Sequence, residues 1–259
     1  MKQLSEKQIQ DNFETLMGVI DKYISAPRKE KLSLLYTDKQ EIIALAPAAG
    51  KENYHNCFPG GYVEHILNVV NIGLNVNKLW EDSNAVNTHT EEELVFALLN
   101  HDLGKIGEGD EPYFIPNPSE WHRKNQGAIY AHNPAINFMP VPERSLFILQ
   151  QYGIECSFNE YVAIRTHDGL YDEANKSYYM SYNEDGKLRT NLPFIVHQAD
   201  MMASRIEWQQ WKYSTPNSPS NVAKAVRGSS PVQRRMNTLA AAPKSESASK
   251  IFDDLFKDK

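Results

Sequence analysis

Cysteine is scarce: Cys57 and Cys156 are the only two in 259 residues. They form no closely spaced pair, which argues against a disulfide framework or a thiolate metal site and fits a reducing, cytoplasmic setting. Long apolar runs are missing too. No stretch approaches the roughly 18 residues that a membrane-spanning helix needs. The Lys- and Gln-bearing N-terminus is not expected to act as a signal peptide. Nor is there a surplus of positive charge, since 27 Lys and Arg against 33 Asp and Glu leave a net charge of −6. That balance excludes wholesale coating of nucleic acid, though it leaves room for a local basic groove. No internal repeat is visible. What is present is a globular composition, 41% hydrophobic and 23% charged, in a chain long enough for one large domain or a domain with appendages. Eight histidines are the more informative count, because several fall in apolar segments.

Helical signals dominate, so the expected fold is all-α. Ser5 with Gln8, Thr90 with Glu93 and Ser157 with Glu160 each have capping-box spacing. The first opens an amphipathic helix over about 5–25, with Phe13, Leu16, Met17, Ile20 and Ile24 on one face. A second helical stretch runs from about 29 to 45 and stops before Pro47. A loop with turn signals then leads into a helix over about 62–80, where His65, Val69, Ile72 and Val76 share a face. The stretch E-L-V-F-A-L-L-N-H-D-L-G-K-I-G, residues 93–107, puts Leu94, Ala97, Leu98 and His101 on an inward stripe, with Gly104 as its expected stop. Residues 107–120 read as a long Pro- and Gly-bearing loop. In it, Tyr113 and Phe114 are candidates for a lid that stacks a base. Helices are expected again near Trp121, from Pro142 to Gly153, and from Ser157 through Tyr161 and Ile164 towards His167. Residues 170–191 look irregular, with Tyr178 to Met180 as a candidate strand. Pro193 opens a helix with Val196, Asp200 and Ala203 on one face.

The inward polar residues form a set: His65, His101, Asp102, His167 and Asp200, on four separate helices. A buried carboxylate needs a partner or a cation. Imidazole with carboxylate suits Fe, Mn, Zn, Ni or Mg, and helical proteins build such cavities from the inner faces of several helices. Any one of these histidines alone would read as a core residue. Five such groups together point to a divalent metal.

His65, His101-Asp102 in H-D-L-G-K, and Asp200 in V-H-Q-A-D-M-M-A-S-R resemble the H…HD…D signature of the HD-domain metal-dependent phosphohydrolases. The resemblance spans roughly residues 45–210 and implies an HD-domain helical bundle. Ala46 to His65, A-P-A-A-G followed by H-N-C-F-P-G-G-Y-V-E-H, is similar to the segment before the first metal histidine of YhaM-type 3′–5′ exoribonucleases. The OB domain of that family has no counterpart in the 45 or so residues before this segment. A-I-R-T-H-D-G (163–169) and the segment from Asp200 to Arg205 resemble motifs of two-metal HD hydrolases. In those, a further histidine follows the HD pair. Trp121 to Ala128 resembles the element that carries it, which favours His122, with His132 as the alternative. The resemblance implies that His65, His101, Asp102 and Asp200 hold one ion. In a two-ion version Asp102 bridges, and His167 with His122 or His132 holds the second; with neither histidine, one ion remains. Asp102 and Lys105 are then catalytic. Lys105, Arg123 and Arg205 are candidates for phosphate contacts, while His197 reads as packing and His55 as a loop residue.

The domain reading is a helical segment over 1–45 packed on an HD domain over 46–213, a flexible linker over 214–250 rich in Ser, Pro and Ala, and a short peptide over 251–259. Ile-Phe-Asp-Asp-Leu-Phe, with Phe252 and Phe256, is similar to C-terminal sliding-clamp-binding peptides and would dock in a partner's groove, the alternative being a terminal helix that folds back on its own domain. The expected function is a metal-dependent phosphohydrolase or phosphodiesterase that hydrolyses a nucleotide or related phosphate ester with metal-activated water. The alternatives are a 3′–5′ exonuclease on RNA or single-stranded DNA, and a nucleotide-binding adaptor that recruits a partner through its C-terminal peptide.

Overall fold

A computed structural model describes residues 3–214. The expected linker beyond Ser214 and the Phe252–Phe256 peptide lie outside the described residues. Residues up to Lys212 belong to one compact unit, and among the described residues it is all-α: ten α-helices, several 3₁₀ turns and one two-stranded sheet. No described helix is long and apolar enough to cross a membrane.

Helix α1 (Glu6–Tyr23) starts on a Ser5/Gln8 capping box and buries Phe13, Leu16 and Ile20. The expected second helix divides at Lys39 into α2 (Arg28–Asp38) and α3 (Gln40–Leu45). Lys39 there leaves helical geometry (ψ 16°), and its ammonium pairs with Asp110 at 2.9 Å. Helix α4 (Gly61–Asp82) follows Gly60, whose φ of 82° suits a residue without a Cβ. Helix α5 (Glu91–Asn100) begins on the Thr90/Glu93 capping box. It is buried on every side from Leu94 to Asn100, not along one stripe, because α1, α4 and α8 (Phe158–Arg165) all pack on it.

Gly104 does not end this run. The chain continues through a 3₁₀ turn, Leu103–Ile106, and Gly107 at φ 109° stops it. Gly104 is needed for a different reason: a Cβ there would lie 2.3 Å from the Val141 carbonyl oxygen of α7 (Val141–Gln151).

The expected loop after Gly107 contains a hairpin. Strand β1 (Phe114–Pro116) pairs antiparallel with β2 (Tyr130–His132), Phe114 opposite His132, and α6 (Glu120–Gln126) lies between them. The Tyr130 N–H to the Gly50 carbonyl (3.0 Å) and the Glu52 N–H to the Gly127 carbonyl (2.8 Å) fasten the hairpin to the loop before α4. In place of the candidate strand at Tyr178–Met180, Tyr178 and Tyr179 end a short helix, α9 (Lys176–Tyr179), and Met180 follows it. The Tyr179 hydroxyl there donates to the Thr166 or Pro193 carbonyl, at 3.0 and 3.2 Å. Helix α10 (Leu192–Ser214) closes the described chain.

Candidate metal centre

Four helices, with the turns that follow two of them, bring five side chains together. His65 projects from the second turn of α4, His101 caps α5, Asp102 follows it, His167 lies just beyond α8, and Asp200 comes from α10. All three histidines are buried. His65 Nε2 lies 3.2 Å from Asp200 Oδ1 and 3.7 Å from Asp102 Oδ2. His101 Nε2 lies 3.6 Å from Asp102 Oδ2 and 3.9 Å from Asp200 Oδ1. His167 Nε2 faces the other oxygen of Asp102, Oδ1, at 3.6 Å. His65, His101 and Asp102 form one group of potential metal donors, and His101, His167 and Asp200 form another.

The orientation of the three rings is fixed from behind. His101 Nδ1 lies 2.8 Å from the Leu98 carbonyl and His167 Nδ1 lies 2.9 Å from the Ile164 carbonyl. His65 Nδ1 meets Glu207 at 3.0 Å. With each Nδ1–H donated outwards, the neutral form of every ring would turn the electron pair of its Nε2 towards the two aspartates. Nε2 of His65 and of His101 are buried and make no hydrogen bond. A cluster of acceptors facing acceptors needs a cation. Donor spacings of 3.2–3.9 Å are close to those of atoms that share one ion about 2.0–2.2 Å away. The residues present therefore fit a divalent metal.

The charges agree. Lys105 Nζ lies 2.6 Å from Asp102 Oδ2. Burial opposes its charge, but Asp102 more than compensates and raises its pKa. Burial also opposes ionisation of Asp102, yet Lys105, His101 and His167 hold it well below the usual carboxylate range. His65 is disfavoured as a cation by burial and raised to about 10 by Glu207 and Asp200. His167 is likewise raised to about 9, by Asp102 and Asp168. At His101 burial prevails, and the pKa falls to about 4.

The cluster opens into a cleft of about 1250 Å³. Asp102, Lys105, His167 and Asp200 line its polar end, and Leu79, Tyr171, Met201 and Trp208 are among its apolar walls. Arg205 also lines it, with its guanidinium 4.1 Å above the Trp208 ring.

No family model, curated protein or solved structure matches the chain. The site therefore rests on its own geometry.

Several expected site residues do not join it. His122 is exposed on α6, its Nδ1 2.6 Å from Ser119 Oγ. Among the described residues neither it nor His132 belongs to a group of potential metal donors. The reason is the hairpin, which carries α6 outwards and packs His132 on Tyr113 and Phe114 instead. Arg123 donates to the Asn117 carbonyl within the same hairpin and does not line the cleft. Tyr113 and Phe114 do not line it either; Tyr113 lies beside a separate cavity of about 140 Å³ with His132 and Arg144. His197 holds the backbone: its Nδ1 lies 2.8 Å from the His167 carbonyl.

Two residues at the site were not foreseen. Glu207 is buried behind His65, and continuing the α10 stripe from Val196, Asp200 and Ala203 by one turn would have found it. His55 packs its ring 4.7 Å from that of His65, and its buried Nε2 has no hydrogen bond. It sits in a loop, where no periodicity marks an inward side chain.

Proposed function

We propose that this chain is a metal-dependent phosphohydrolase of the HD-domain kind, acting on a nucleotide or related phosphate ester. The observation that carries this reading is the buried set of inward-facing imidazole nitrogens and carboxylates at the end of an open cleft, with a lysine on its edge. His65, His101, Asp102 and Asp200 would hold the ion, with His167 beside them. One ion is favoured, because the exposed His122 and His132 leave a second without the histidine that a two-ion site requires. When bound, a divalent ion supplies Lewis acidity, which makes water a competent nucleophile near neutral pH and neutralises charge on the phosphoryl oxygens.

The chain's own groups do the rest. Asp102 fixes the Lys105 ammonium at the polar end of the cleft, where it can meet a phosphoryl oxygen and stabilise negative charge as the leaving group departs. Arg205, pinned on Trp208, offers a second positive charge for a phosphate further along. The apolar walls exclude water from the non-reacting part of the substrate. The reacting water adds its oxygen to phosphorus, the ester or anhydride bond breaks, and the leaving oxygen takes up a proton.

The test combines metal analysis of the purified protein with a hydrolysis screen over nucleotides, cyclic dinucleotides, dinucleoside polyphosphates and short oligonucleotides. About one divalent ion per chain is expected, with turnover abolished in His101→Ala and Asp102→Ala. Activity that persists in both variants would overturn the assignment. Preferential trimming of oligonucleotides would move it to an exonuclease.

A further inference from the structure

His101 and His167 find partners for Nδ1 locally, and His65 cannot. The last four carbonyls of an α-helix have no partner within it. Leu98 lies among the last four residues of α5 and Ile164 among those of α8, so each ring that follows can donate to a free carbonyl three residues back. His65 is the fifth residue of the 22-residue α4, where the helix uses its own carbonyls. Its Nδ1 partner has to come from another element. Glu207 supplies it, with Oε2 at 3.0 Å and Oε1 at 3.3 Å. Asn68, one turn after His65, donates to Glu207 Oε1 at 2.8 Å and fixes the carboxylate.

The same helix reaches both sides of this ring. Asp200 meets Nε2 at 3.2 Å and Glu207 meets Nδ1 at 3.0 Å. Seven residues make about two turns of helix, so both carboxylates project from the same face of α10 towards this ring. Only this ring of the three has a carboxylate behind it, since the other two have neutral carbonyls. A charged acceptor makes an imidazole a stronger donor than a carbonyl does.

We infer that Glu207, held by Asn68, is a positioning residue that orients His65 and strengthens it as the anchoring ligand of the metal centre. The inference rests on the metal reading above. It assigns Glu207 no contact with substrate.

The test measures Zn²⁺ affinity by competition with a chromogenic chelator, and the visible spectrum of the Co²⁺-loaded protein as a report on the ligand field. Glu207→Ala should weaken Zn²⁺ binding about 10–100-fold and alter the Co²⁺ spectrum. Glu207→Gln, which keeps an acceptor without the charge, should recover part of the loss. Asn68→Ala should lose less than Glu207→Ala. Glu160→Gln is the structural control: Glu160 is as deeply buried but pairs with Arg28, so it should lower thermal stability and leave both metal readouts unchanged. If Glu207→Ala does not fold, Glu207→Gln and Asn68→Ala carry the comparison. Affinities and spectra equal to those of the unsubstituted protein would overturn this inference alone. Failure of the unsubstituted protein to bind Zn²⁺ or Co²⁺ would overturn the metal reading and this inference with it.

Discussion

Gly104→Ala changes one methyl group and should be among the most damaging small substitutions in the molecule. The new Cβ would stand 2.3 Å from the Val141 carbonyl oxygen, 3.0 Å from Arg144 Cβ and 3.1 Å from the Ser145 nitrogen. Two of these are backbone atoms of α7, so no side chain can swing aside, and the 3₁₀ turn and helix must separate by about 1 Å to restore ordinary contact. That movement weakens the Gly104 N–H to Ser145 Oγ bond, now 2.8 Å and buried. Overpacking costs about 1–3 kcal/mol and the strained hydrogen bond about 1 kcal/mol. The lower entropy of the unfolded chain offsets about 0.5–1 kcal/mol. The net loss is about 1–3.5 kcal/mol, and at its centre near 2 kcal/mol Tm falls by about 4–8 °C for a domain of this size. Because Asp102 precedes this turn and Lys105 lies within it, metal affinity should fall with stability. Gly18→Ala is the matched control. Its Cβ would meet nothing within 4 Å inside α1, so it should stabilise by about 0.5–1 kcal/mol. Urea titration and calorimetry of both variants measure the contrast. A Gly104→Ala protein that melts at or above the unsubstituted temperature would refute the packing argument.

Other consequences are as direct. In the presence of a chelator, protons on His65 and His167 stabilise the fold. That contribution is full below about pH 6.5, the ordinary histidine value, and fades as pH rises towards about 9 and 10, the raised values of His167 and His65. Metal-free Tm should therefore fall between pH 7 and 10, as differential scanning fluorimetry will show, and a flat or rising profile would count against it. Metal binding at pH 7.5 should release protons, seen as a dependence of calorimetric heat on buffer ionisation enthalpy. His122→Ala should leave metal stoichiometry unchanged, while His167→Ala should reduce turnover; the reverse would restore the hairpin histidine as a ligand. Arg28→Met would leave the buried Glu160 carboxylate, now 2.7 Å from the guanidinium, without a counter-charge and with the Ser157 N–H as its remaining partner. A loss of about 3–5 kcal/mol is expected by chemical denaturation.

The sequence reveals those parts of the site that lie on regular helices. His65, His101 and Asp200 were each visible as a polar residue on an apolar stripe, and the capping boxes at Ser5, Thr90 and Ser157 mark three helix starts that the structure reproduces. Glu207 obeys the same periodicity and needed only a longer stripe. What stayed hidden depends on contacts between segments distant in the chain. His55 points inwards because the loop before α4 is fastened to the hairpin. That hairpin in turn carries His122 outwards, and its three-residue strands are too short for an alternating pattern to show. Gly104 was recognisable as a required glycine, but its reason, the approach of α7, is tertiary.

Helix α10 holds both carboxylates that grip His65, and it is the last described element to leave a ribosome. A growing chain has its three histidines and Asp102 by residue 167, yet lacks Asp200 and Glu207 until some forty residues later. Before then His65 Nδ1 has no carboxylate behind it and Nε2 faces Asp102 alone, so a nascent site would hold an ion only loosely. On the proposed metal reading, capture of the ion should thus coincide with the docking of α10, so that the ion would act as a latch closed once this helix has emerged.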